Sequence, residues 1–239
     1  ASAYTGGTTL NAGTLALSLG NNRLSTSGAI TINAGVLDLG AFTQSTSSAV
    51  TLVSGTIQNG TISGTSTAFD LRSGLVSASM SGAAAMNKST TGLLVLSGSN
   101  SYSGAATING GTITISGYNT TPGLMTFNSG QLNINSSRAL GLGAFTIAGG
   151  SIDNTSGSAI VNVNNNTQSW NNSFTFIGSS DLNLGTGAVT LNSNPTVTVN
   201  AGSLTIGGVI SGGLSVTKAG SGVLNLSGAS TYTGGTTLS

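Results

Sequence analysis

No cysteine, histidine or glutamate occurs in this chain of 239 residues. Without cysteine there is no disulfide framework, and without cysteine or histidine there is no zinc site. Without histidine there is no Ser–His nucleophile pair. Charge is almost absent too: four aspartates, two lysines and three arginines leave a net +1. No basic cluster offers nucleic acid an electrostatic footprint. No apolar run reaches the ~18 residues of a membrane-spanning helix. Neither nucleic-acid binding nor membrane insertion is therefore expected of this segment. Aromatics make up 5% of the residues and proline occurs twice, yet 37% are hydrophobic. That apolar content excludes disorder of the charged, apolar-poor kind.

What the chain has in quantity is glycine, with 38 copies, among Ser, Thr and Asn. The recurring unit is apolar–x–apolar, a short turn with glycine, then apolar–x–apolar. Ala29-Ile-Thr-Ile-Asn-Ala-Gly-Val-Leu-Asp-Leu39 and Ala106-Thr-Ile-Asn-Gly-Gly-Thr-Ile-Thr-Ile115 are examples. The turn glycines Gly13, Gly35, Gly55, Gly74, Gly92, Gly111, Gly130 and Gly150 follow one another at 18 to 22 residues. The beat blurs through Asn162–Asn172 and returns near Gly202, Gly222 and Gly235. Alternation marks strands with one buried face. A steady period near 20 marks a solenoid whose coils bury their apolar faces by stacking. The expected fold is all-β: a right-handed parallel β-helix of about twelve coils, roughly 55–60 Å long at ~4.8 Å per coil. Left-handed forms show a six-residue apolar beat, which is missing here.

A longer repeat overlies the short one. Tyr-Thr-Gly-Gly-Thr-Thr-Leu stands at Tyr4–Leu10 and again at Tyr232–Leu238, and Tyr-Ser-Gly-Ala-Ala-Thr-Ile at Tyr102–Ile108. Residues 1–239 read as one continuous segment of a longer repetitive protein, with sub-repeats over roughly 4–101 and 102–231. The outer copies are expected to mark equivalent coils, so that the ends would continue each other in register. Lys88-Ser-Thr-Thr-Gly-Leu-Leu-Val-Leu-Ser-Gly and Lys218-Ala-Gly-Ser-Gly-Val-Leu-Asn-Leu-Ser-Gly match at an offset of 130. Both resemble the autotransporter-associated β-strand repeat, also called the passenger-associated transport repeat. The resemblance covers about three copies. It implies a right-handed β-helix on the outside of a Gram-negative-type bacterium, and it implies no ligand.

Candidate sites are few. Catalytic β-helices need clustered carboxylates with basic partners. Asp38, Asp70, Asp153 and Asp181 lie several coils apart, each beside core-type apolar residues, and alternation is expected to point all four outward. Lys88 and Lys218 occupy equivalent repeat positions, which suits a repeated structural role better than a Ser–Lys dyad. No catalytic residue, cofactor or metal site is assigned, and the chain is not expected to be an enzyme. Three residues remain as candidate partner contacts. Trp170 and Asn171 lie in an Asn-rich stretch that reads either as a sugar platform or as an amide-laddered turn with the indole filling a corner. Tyr118 sits on a loop ahead of Pro122. The repeat tyrosines are expected to clamp a coil corner. The expected function is structural: a segment of a secreted bacterial surface fibre or coat, stacking end to end on neighbouring repeats and associating sideways through its uncharged surface. The alternative is an adhesin passenger that binds glycans or other cells. Either role places it outside the cell or on its surface.

Overall fold

The computed structural model describes residues 2–239. Among them there is no helix, and every strand pairing is parallel. The chain winds as a β-solenoid of about 12 turns with ~20 residues per coil. Each coil delivers one strand to a first sheet and one to a second, then crosses a third face. The first sheet has 11 strands, from Thr8–Leu10 to Ile210–Ser211. The second has 12, from Thr14–Ala16 to Thr236–Leu238. The third face is broken. A three-stranded sheet (Thr43–Thr46, Thr61–Gly64, Ser79–Gly82) and a four-stranded one (Ile160–Val161, Leu182–Asn183, Ser203–Ile206, Val223–Leu226) are separated by coils with no strand there.

Sequence explains the strands directly. In Ile30-Thr-Ile32, Val50-Thr-Leu52 and Phe145-Thr-Ile147 the outer two side chains point in and the threonine points out. The inward positions make one continuous core from Leu17 to Val216. Each such side chain contributes about 1.5–3 kcal/mol by leaving water. Register partners in the first sheet lie 17 residues apart at Phe69 and Met86 and 23 apart at Phe145 and Gln168. The widest coil carries the Asn-rich stretch, which is why the beat blurs there.

The turn glycines are forced by close stacking. Gly130 has φ +93°, and a Cβ there would lie 2.3 Å from the Gly111 carbonyl oxygen. Gly55 has the same relation to Gly35, also at 2.3 Å. Side chains at these corners would collide with the coil beneath as well as adopt a left-handed conformation.

The long repeat is not in register with the coils. Tyr4 and Tyr102 each stand four residues before a first-sheet strand, Thr8–Leu10 and Ala106–Ile108. Tyr232 stands four residues before Thr236–Leu238, which belongs to the second sheet. Lys88 ends a first-sheet strand, while Lys218 lies in a second-sheet strand, Val216–Ala219. The final copy is therefore turned by one face, and the expectation of equivalent coils is corrected. A short in–out–in strand between glycine turns makes the same demands on either sheet, so the motif fits both.

Replacing Gly130 by Ala is expected to lower stability by more than ~1 kcal/mol. Gly6→Ala, at an open position without positive φ, is expected to stay within about 0.5 kcal/mol of the parent. Chemical denaturation followed by circular dichroism measures both.

Candidate interaction face

The first sheet presents three straight rows of side chains to solvent. Its strands are three residues long or shorter, so only the middle residue faces out between two inward neighbours. The middle row runs through Thr31, Thr51, Thr107, Thr126, Thr146 and Thr190, partnered level by level. Nine of its eleven levels carry Thr or Ser; Asp70 and Asn87 are the exceptions. The row on the N-terminal side is mostly apolar, with Thr167 as a polar member. Ala29, Ala49, Ala105, Leu124, Ala144 and Val209 each accept the backbone N–H that begins the strand of the preceding coil. The row on the C-terminal side is amide-rich. Asn33 donates to Asn11 at 2.8 Å, Asn128 to Asn109 at 2.7 Å and Asn192 to Asn171 at 2.8 Å. Identical amides one coil apart satisfy each other, because parallel register holds them at the strand spacing.

Charge barely enters this face. Asp70 and Arg72 close on each other at 2.8 Å and neutralise locally. Asp38, on the second sheet, accepts from Asn59 at 2.8 Å, Gln58 at 3.0 Å and the Gly40 N–H at 2.8 Å, which hold its carboxyl below the usual carboxylate range.

Asp153 departs from the expectation that all four carboxylates meet solvent: it is 1% exposed. The Gly178–Ser179 corner of the next coil folds over it. Its oxygens accept from Asn154 N (2.9 Å), Gly178 N (3.2 Å), Ser179 N (3.0 Å) and Ser179 Oγ (2.6 Å). Strand alternation fixes direction along one strand, but the next coil's path decides whether that direction leads to water.

The three candidate contacts separate. Trp170 is 0% exposed and packs edge-on against Phe174, 5.1 Å between centroids. Its Nε1 donates to Gln168 Oε1 at 3.3 Å. The indole lies in the same inward column as Phe127 and Ile147, so it offers no sugar platform. Asn171 is exposed and belongs to the amide row. Tyr118 is 57% exposed on the broken third face, with the Arg138 guanidinium 5.5 Å from its ring centre. Elsewhere in the Asn-rich stretch, Asn164 and Asn166 donate to the Gly141 carbonyl at 2.6 and 3.0 Å, Asn166 to that of Gly143 at 2.6 Å, and Asn162 to Asn166 Oδ1 at 2.8 Å.

Two repeat residues proved internal. Tyr102 is buried against Phe69, whereas Tyr4 and Tyr232 reach the hydroxyls of Thr8 and Thr236 four residues on. Lys88 is fully buried in the folded chain, and its Nζ donates to the Thr90 and Gly110 carbonyls, tying its own coil to the next. Lys218, only partly buried, reaches the Ala219 and Gly220 carbonyls within its own coil. Burial pushes the Lys88 ammonium below the ordinary lysine value. Among the described residues, no three acidic, cysteine or histidine side chains come together.

The passenger-associated-transport-repeat family model matches residues 1–17, 87–115 and 216–239. The matched segments include Lys88, Lys218 and the tyrosine phrases at both ends. No curated protein and no solved structure matches the chain.

Trp170→Ala is expected to cost about 3–5 kcal/mol, against under ~0.5 kcal/mol for the surface change Asn171→Ala. Trp170 fluorescence is expected to be blue-shifted and insensitive to iodide. Accessible quenching would contradict the packing. Lys88 titrates with a defined sign. The native chain releases this proton at lower pH than the unfolded chain, whose lysine value is 10.5. Stability is therefore expected to rise with pH from the lowered value towards 10.5. Buried Tyr102 acts oppositely above its ordinary value of 10.0. Urea midpoints of the parent and Lys88→Met, compared below pH 10, isolate the lysine; parallel profiles would contradict the assignment.

Proposed function

We propose that this chain, three of whose segments match the passenger-associated-transport-repeat model, is a non-enzymatic structural segment of a secreted bacterial surface fibre or coat. The observation that carries the reading is the uninterrupted ladder of the two main sheets, 11 and 12 strands long. Each coil hydrogen-bonds the next along the rod axis, so tension and proteolysis meet backbone pairing at every level. A solenoid of this kind extends by adding coils without redesigning its core. Neighbouring repeats would stack end to end by the same pairing. The repeat family suggests a secreted or surface location, where such a rod serves as stalk or sheath.

The glycan-binding alternative has less support. Trp170 is enclosed, and the Tyr118 ring is partly covered by the Arg138 guanidinium. Lateral contact with other copies suits the low charge better, since little repulsion opposes it.

Electron microscopy of the full protein tests the reading. Continuous rods are expected, lengthening by ~4.8 Å for each coil of the sequence. Compact particles without axial continuity would overturn it.

A further inference from the structure

We infer that the outward face of the first sheet is a pairing surface for a second copy of this chain, laid against it with the two rods antiparallel. The inference rests on the fibre reading and names the surface through which rods associate sideways. Stacked sheets approach to about 10 Å when short side chains interdigitate. The middle row meets that need, with Thr or Ser at nine of eleven levels. The other faces do not. The second sheet carries Asp38, Gln58 and Gln131 outward, and the third face is broken and bears Tyr118 and Arg138.

Area points to a dimer. Eleven strands at ~4.8 Å and three outward rows about 13 Å across give roughly 650 Å² per copy, or about 1,300 Å² in total. That lies within the range of specific interfaces. Charge offers no obstacle, because Asp70 and Arg72 already neutralise each other.

Row chemistry sets the orientation. A two-fold axis across the rods lays each row on its own counterpart: the alanine-rich row on itself, the hydroxyl row on itself, and the Asn-bearing row on itself, with Asn33 level with Asn192 and Asn109 level with Asn109. A two-fold axis along the rods would lay the apolar row on the asparagines and strand amides against methyl groups. Centred on Thr107, the sixth of eleven levels, the antiparallel arrangement also matches sizes. Leu124, 44% exposed, meets Ala85, and Val209, 40% exposed, meets Gly7. The Asp70–Arg72 pair meets the uncharged Thr146 and Ala148. The contact is isologous and closes on itself.

The absence of cysteine makes single-cysteine cross-linking a clean test. With a short bis-maleimide, Thr107→Cys is expected to link to itself, and Thr9→Cys to link with Ser211→Cys but not with itself. Parallel pairing would link every middle-row cysteine to itself. That outcome, or no linkage at any position, overturns the inference. Sedimentation equilibrium gives a second reading. Thr31→Lys with Thr190→Lys, which face each other across the antiparallel pair, is expected to weaken the dimer at least about tenfold through like charge. Thr175→Lys with Thr198→Lys on the second sheet is expected to leave it unchanged; equal weakening by both pairs overturns the assignment of the face. Continuous rods that remain single in both assays overturn the pairing alone and leave the fibre reading standing.

Discussion

Backbone hydrogen bonding from each coil to the next is the constraint on which this molecule depends. A strand of three residues is too short to be stable alone, and a coil of about twenty cannot enclose a core. Stacked in parallel register, the same pieces share their hydrogen bonds and cover one another's apolar side chains. Register also brings like residues level by level, which produces the Asn ladders at Asn109–Asn128 and Asn171–Asn192. The glycine corners serve the same end, since Gly55 and Gly130 leave room for a carbonyl from the coil beneath.

This economy explains how a rod exists with so little charge. Ion pairs are not needed to hold the coils, and the one ion pair among the described residues, Asp70 with Arg72, lies along a single strand and its corner. The buried cation of Lys88 and the buried carboxylate of Asp153 are both engaged with backbone of a neighbouring coil. They work as ties between coils. The surface is left to Thr, Asn and Ala, whose uniformity makes a flat face over the whole length. A surface of that kind recognises another extended, regular object more readily than a compact ligand.

Much of this was legible in the residues. Alternation in Ile30-Thr-Ile32 and the glycine beat together specify strands, corners, period and a parallel ladder. The passenger repeat was legible in the Lys88 and Lys218 phrases. Three features were not. Trp170 reads as the filler of a coil corner or as a ring in a sugar platform, because a three-residue strand gives too little pattern around an Asn-rich turn. Asp153 points outward by alternation, yet a corner 25 residues later covers it. The rows of the candidate face were hidden because Ala105, Thr107 and Asn109 acquire their partners only through register with residues about twenty positions away.

The sequence by itself determined the local rules: which side chains alternate, where the chain must turn, and that coils must stack to bury anything. Those rules act within a few residues and are strong because strand periodicity and glycine geometry leave little choice. The tertiary structure alone decided phase. It turned the Tyr232 copy one face away from Tyr4 and Tyr102, buried Lys88 and Asp153, and lined up threonines along a single face. The reason is that coil length varies between 17 and 24 residues, so the position of a residue around the rod is a running sum over all the coils between, and no local pattern records it.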